Sequence, residues 1–173
     1  MSGLFIIPLS GLKEGGHTYK FEIGDEFFEL FEGSEITRGD VVAMVELDKR
    51  STHMALKFNI KGAVVISCDR CLEPFSQPIS CENRLLIKLG KNWDENDPDL
   101  LTIPADEHEL DVKQYIYEFI HLALPIKRTH PLDKKGRSTC NPEMLRKISE
   151  HSINGENDSD PRWEELRKLM NNN

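Results

Sequence analysis

Hydrophobic and polar residues alternate with a period of two along the first half of the chain. Tyr19, Phe21 and Ile23 alternate with Lys20 and Glu22, and Val41, Ala43, Val45 and Leu47 share one parity before a polar turn at residues 48–51. Met54, Leu56, Phe58 and Ile60 then face one way while Ala55, Lys57, Asn59 and Lys61 face the other. This is the signature of strands buried on one side. After Gly62 the short run Ala63-Val64-Val65-Ile66 predicts a separate strand buried on both faces, and Ile79, Cys81, Leu85, Ile87 and Leu89 predict another one-sided strand. The opening run from Leu4 to Leu9 also reads as a strand. It is too short, and lacks the preceding basic residues, for a secretory leader. Short turns between such runs favour antiparallel pairing, because parallel neighbours need long crossovers.

The period changes after residue 110. Val112, Ile116, Phe119, Ile120 and Ala123 form the apolar stripe of a helix that Pro125 ends. Asp111 and Gln114 have the spacing of a capping box. Asn141-Pro142 marks the start of a shorter helix carrying Met144, Leu145 and Ile148. Residues 149–159 are polar and read as a linker, and Asp160-Pro161 opens a last helix with Trp163, Leu166 and Met170 on one side. The expected organisation is an α+β domain over 1–148, a linker over 149–159 and a C-terminal helix over 160–173. The sheet is antiparallel, curved or barrel-like, and the helix near 111–124 covers it.

Composition fits one such domain. At 173 residues the chain is long enough to bury on the order of 70% of the surface of its unfolded state. No stretch approaches the roughly 20 apolar residues of a membrane-spanning helix, so no membrane partner is expected, and no pattern specifies an oligomeric state. A net charge of -8 argues against a protein that coats nucleic acid with its whole surface. The charge is unevenly spread. Residues 92–118 hold nine acids against one lysine, whereas residues 125–147 hold seven bases against two acids. Lys127, Arg128, Lys134, Lys135 and Arg137 are the candidate contacts to RNA phosphates or to another partner. The bland alternative is a solvated face that neutralises the acidic stretch within the same molecule.

Chemistry concentrates at the cysteines. Cys68-Asp69-Arg70-Cys71 follows a predicted strand, and two thiols three positions apart at a turn can address one ion. A tetrahedral zinc site needs two more donors, and Cys140 with His130, in the same basic segment, can supply them. Such a site would fasten the helical back of the chain to the sheet. Two other readings stand beside it: free structural thiols, and a redox pair. Pro74, three residues after Cys71, works against the helix that a thioredoxin-type pair needs. Cys81 has inward parity and reads as a small buried hydrophobe. The remaining histidines lack second ligands at useful spacing, Trp93 and Trp163 are expected to pack, and Asp94, Glu95, Asp97 and Asp99 read as a solvated loop, since an EF-hand's glycine and terminal glutamate are missing.

Three segments in order, Cys68-Asp69-Arg70-Cys71-Leu72-Glu73-Pro74-Phe75, then Glu118 to Pro125 with its Leu122-Ala123-Leu124-Pro125 ending, then Asp160-Pro161-Arg162-Trp163, resemble the YceD family of large ribosomal RNA subunit accumulation proteins. The resemblance covers residues from about 20 to 170. It implies a bacterial or plastid protein of cytoplasmic type, without known catalytic activity, needed for normal levels of large-subunit ribosomal RNA. The implied partners are that RNA, a basic large-subunit ribosomal protein, or both. Where many members carry several cysteines after this helix, the present chain has only Cys140, so a four-donor site has no spare ligands. A thiol- or metal-dependent enzyme using Cys68 and Cys71, and a protein-interaction module without RNA contact, are the alternatives.

Overall fold

The alternating segments form strands, and each runs longer than the sequence pattern suggests. In the computed structural model, which describes residues 5–91, 93–97 and 100–152, the chain begins with β1 (Ile6–Pro8) and β2 (Gly15–Ile23). A single helical turn, α1 (Asp25–Phe28), leads to three long strands, β3 (Arg38–Lys49), β4 (His53–Ser67) and β5 (Pro74–Gly90). Short strands β6 (Asp94–Asp97), β7 (Leu100–Pro104) and β8 (Glu109–Asp111) follow, then α2 (Lys113–Leu122) and α3 (Pro142–His151).

Strands β2 to β5 pair antiparallel in sequence order within a six-stranded sheet of order β2-β3-β4-β5-β7-β6, with β2 and β6 at its edges, so the sheet does not close into a barrel. The expected break at Gly62 is absent: β4 runs through it in unbroken register, with Gly62 opposite Val41 on one side and Ile79 on the other. Parity is kept, so Val64 and Ile66 continue the buried face of Met54 to Ile60, while Ala63 and Val65 stay half-buried on the other. Ala63 to Ile66 is therefore one-sided, not doubly buried. A glycine is required because β3 approaches closely: a Cβ at residue 62 would lie 2.2 Å from the Asp40 carbonyl oxygen.

The acidic stretch differs most from expectation. Residues 94–97 form a strand instead of a loop, and β7 pairs parallel with the last five residues of β5 while β6 takes the edge beyond it. A short chain excursion achieves this without a helical crossover, because β6 runs back one position out and β7 returns into the gap. Trp93 does not bury its ring; its indole N–H donates to Glu107 at 3.1 Å.

The core lies on the inner face of the sheet. Besides α2, aromatic residues of α1 and a two-stranded β1–β8 ribbon cover it. Phe5 packs on Phe21 and Phe27, Phe27 on Phe28 and Phe31, and Phe31 stacks on Tyr117 of α2 at 3.8 Å. Val112, Ile116 and Ile120 bury the predicted stripe of α2, and Phe119 meets Phe58 edge-on at 5.1 Å. Each such side chain contributes roughly 1.5–3 kcal/mol on burial. Asp111 accepts the Lys113 N–H at 2.8 Å, but the Gln114 amide turns to Glu118, so the reciprocal half of the capping box is not made. Cys81 is half-buried beneath α2, and burial pushes its thiol pKa up. Helix α3 continues to His151, into the first residues of the predicted linker; residues 153–159 and the predicted C-terminal helix lie outside the described residues.

Candidate metal centre

Strands β4 and β5 end their pairing at Ser67 and Pro74, leaving a six-residue connection, Cys68 to Glu73, at one end of the sheet. The loop is closed by its own backbone. The Cys68 N–H donates to the Glu73 carbonyl at 3.0 Å, the Leu72 N–H to the Cys68 carbonyl at 2.9 Å, and the Arg70 N–H points at the Cys68 sulfur at 3.4 Å. Leu72 completes the turn with φ of 60°.

The segment after α2 folds onto this loop. Asp69 and Arg128 exchange two hydrogen bonds of 2.7 Å: the Asp69 N–H to the Arg128 carbonyl, and the Arg128 N–H to the Asp69 carboxylate. The Arg128 guanidinium forms an ion pair with Glu35. Asp133 then organises the basic turn by accepting from the N–H groups of Lys135 and Arg137 and from the Arg137 side chain, each at 2.8 Å. Asn141 caps α3 as predicted, accepting from the Glu143 and Met144 N–H groups at 2.9 and 3.4 Å, while its own amide donates to Glu73 at 2.7 Å. Met144 and Leu145 are half-buried, but Ile148 is exposed.

These contacts bring together all four residues singled out from the sequence. The donor atoms of Cys68, Cys71, His130 and Cys140 lie within 4.8 Å of one another. The sulfurs of Cys68 and Cys140 are 3.7 Å apart, and the Cys71 sulfur is 3.4 Å from Nδ1 of His130. A tetrahedral site with metal–sulfur bonds of about 2.3 Å and metal–nitrogen bonds of about 2.0 Å has S···S edges of about 3.8 Å and S···N edges of about 3.5 Å. The three cysteines are buried, and the half-buried His130 ring lies tilted against Phe75, with centroids 4.9 Å apart. The donor set fits a metal ion, and its sulfur-rich chemistry favours a thiophilic one. Burial alone would push the Cys68 thiol up. Hydrogen bonds from the backbone of Cys71, Arg70 and His130, with the His130 side chain, outweigh it and bring the pKa down to about 6, which favours the thiolate a metal needs. Burial pushes Cys71 up.

The five basic candidates divide. Arg128 and Arg137 are engaged inside the module, whereas Lys127, Lys134 and Lys135 are exposed and make no ion pair among the described residues. Glu35, Asp133 and Glu150 form ion pairs with the basic segment, and Asp69 meets its backbone. Asp69 lies between the two thiols of the turn and Glu73 two residues beyond them, close enough in sequence to signal a role, whereas Glu35 is distant in the chain and carries no local signal.

A pH dependence follows. The Arg128 hydrogen bond and charge hold Glu35 below the usual carboxylate range, and the Arg137 backbone N–H, with its side chain and the Lys135 N–H, does the same for Asp133. Folded values lower than unfolded ones contribute stability that is fully present above about pH 4 to 5 and lost as pH falls through the depressed values. Amide exchange at residues 128–138 is expected to quicken on acidification below about pH 4. Titrating the carboxylates directly should place both below the ordinary range, and Arg128→Gln should bring Glu35 back toward it; a Glu35 value that does not move in that variant would reject this origin.

A mostly antiparallel α+β domain with a four-donor sulfur and nitrogen cluster at one end of its sheet is the class of protein these features define. The family model described as "Large ribosomal RNA subunit accumulation protein YceD" matches residues 56–170, and the chain belongs to this family. No match is found among curated proteins or solved structures. No helix among the described residues is long and apolar enough to cross a membrane.

Proposed function

We propose that the protein is a non-enzymatic, cytoplasmic ribosome-assembly factor that promotes accumulation of large-subunit ribosomal RNA by binding that RNA through the basic segment after α2. The family's description supports a role in the accumulation of that RNA; the carrying observation within the molecule is the four-donor cluster that fastens a cation-bearing segment to the sheet. In this reading Cys68, Cys71, His130 and Cys140 hold zinc as a structural ion, which supplies cross-linking and no reaction step. The burial of the cysteines supports a structural use over a catalytic one. Exposed Lys127, Lys134 and Lys135 act as phosphate contacts, which position an RNA without reading its sequence.

Sedimentation of cell extract on a sucrose gradient tests the reading. The protein is expected to travel with large-subunit precursors and to leave them after RNase treatment. Co-migration that survives RNase would favour a ribosomal protein partner, and no co-migration would reject the proposal. In binding assays, Lys134→Glu/Lys135→Glu is expected to weaken RNA affinity at least about tenfold near physiological salt and to flatten its salt dependence. Unchanged affinity in that variant would exclude these lysines as contacts.

A further inference from the structure

Leu72 combines three properties that packing does not explain. It lies between Cys71, whose sulfur faces His130, and Glu73, which holds Asn141, yet its own side chain is 70% exposed. Its φ of 60° falls in the left-handed region, where a branched side chain is strained and glycine or asparagine is the usual occupant. A side chain that is both strained and solvent-facing contributes little to the fold. Two further exposed aliphatic residues sit on the segment pinned to the same loop: Ile126, fully exposed, and Leu132, 64% exposed. Each of the three has an exposed cation within two residues, Arg70 near Leu72, Lys127 beside Ile126 and Lys134 near Leu132, while the acids in the same stretches, Asp69, Glu73 and Asp133, are engaged by Arg128, Asn141 and Arg137. None of Arg70, Lys127 and Lys134 is in an ion pair among the described residues.

We infer that the metal module docks unpaired RNA, with Leu72 packing on an exposed base while the neighbouring cations hold the phosphates on either side. This rests on the RNA reading above and narrows it. Cations alone would serve duplex and single strand alike, since both present phosphates. Aliphatic side chains gain contact only where base faces are open, and an A-form helix hides those faces within the stack. The charge of the surface selects a polyanion, and its apolar tips select the unstacked form.

The test uses the full chain with a fluorescent unpaired oligoribonucleotide and a hairpin duplex of equal phosphate number. The wild type is expected to bind the unpaired RNA more tightly. Leu72→Gly and Leu72→Asn, both suited to the left-handed backbone, should weaken unpaired binding by about fivefold while leaving duplex binding and the salt slope unchanged. Neither should lower the melting temperature, because each relieves backbone strain. Equal affinity for the two RNAs, wild-type affinity in both variants, or a clear loss of melting temperature would overturn the inference and leave general RNA binding standing. No binding of either RNA would overturn both. Loss of particle association in Leu72→Gly with RNA affinity intact would overturn it in favour of a protein contact.

Discussion

Replacing Cys71 with serine is expected to release residues 126–151 from the sheet. Four donors converge on one point, and the segment's other ties to the loop, the paired Asp69–Arg128 hydrogen bonds and the Asn141–Glu73 hydrogen bond, are solvent-exposed. Helix α3 buries no residue fully, Met144 and Leu145 are only half-buried, and the Arg128–Glu35 ion pair is largely exposed on the carboxylate side. Exposed ion pairs contribute about 0–1 kcal/mol each, whereas the free energy of binding a structural metal is folding free energy for the elements it joins. Amide protection over 126–151 should fall by at least about a hundredfold, while β3 and β4, held by their ladders and the apolar core, keep theirs. The purified wild type should carry about one zinc per chain and lose the same protection on chelation. Metal-free wild-type protein with full protection over α3, or a Cys71→Ser variant indistinguishable in exchange, would reject the clamp.

Much of this was legible in the sequence, for identifiable reasons. One-sided strands advertise their parity, and the buried residues of β3 and β4 fall where alternation puts them. The four donors were also findable: thiols and imidazole are few in this chain, and two of them sit at a turn that must close. What the pattern could not carry was pairing order. Gly62 punctuates the sequence like a turn, but its role is to admit β3, a partner about twenty residues away in the chain. The β6–β7 insertion is invisible because acidic residues with low strand propensity are drawn into an edge strand by a neighbouring ladder. Similarly, the ion pair of Glu35 with Arg128 and the left-handed backbone of Leu72 exist only once the hairpin and the returning segment have met.

The Gly62 contact leads to the second large effect, on the sheet that supports the metal module. A Cβ at this position would lie 2.2 Å from the Asp40 carbonyl oxygen and 2.6 Å from the Val41 Cα, both backbone atoms that cannot swing aside like a side chain. Relief requires β3 to move away from β4, which weakens the ladder at Asp40–Ala63 and Val41–Gly62 and disturbs the buried row of Val41, Ile60 and Val64. Gly62→Ala is expected to cost about 3 kcal/mol and Gly62→Val more, a drop in melting temperature of roughly 10 °C in a chain of this size. Gly16→Ala, on edge strand β2 with open space around it, is the matched control and should change stability by less than about 1 kcal/mol. Urea unfolding of the three variants checks this. Because β4 runs directly into Cys68, a displaced β4 also shifts the Cys68–Glu73 loop, so Gly62→Ala should reduce metal affinity as well as stability. Equal midpoints for Gly62→Ala and Gly16→Ala would show that the β3–β4 approach is looser than the register implies, and the support of the metal centre by that strand pair would have to be abandoned.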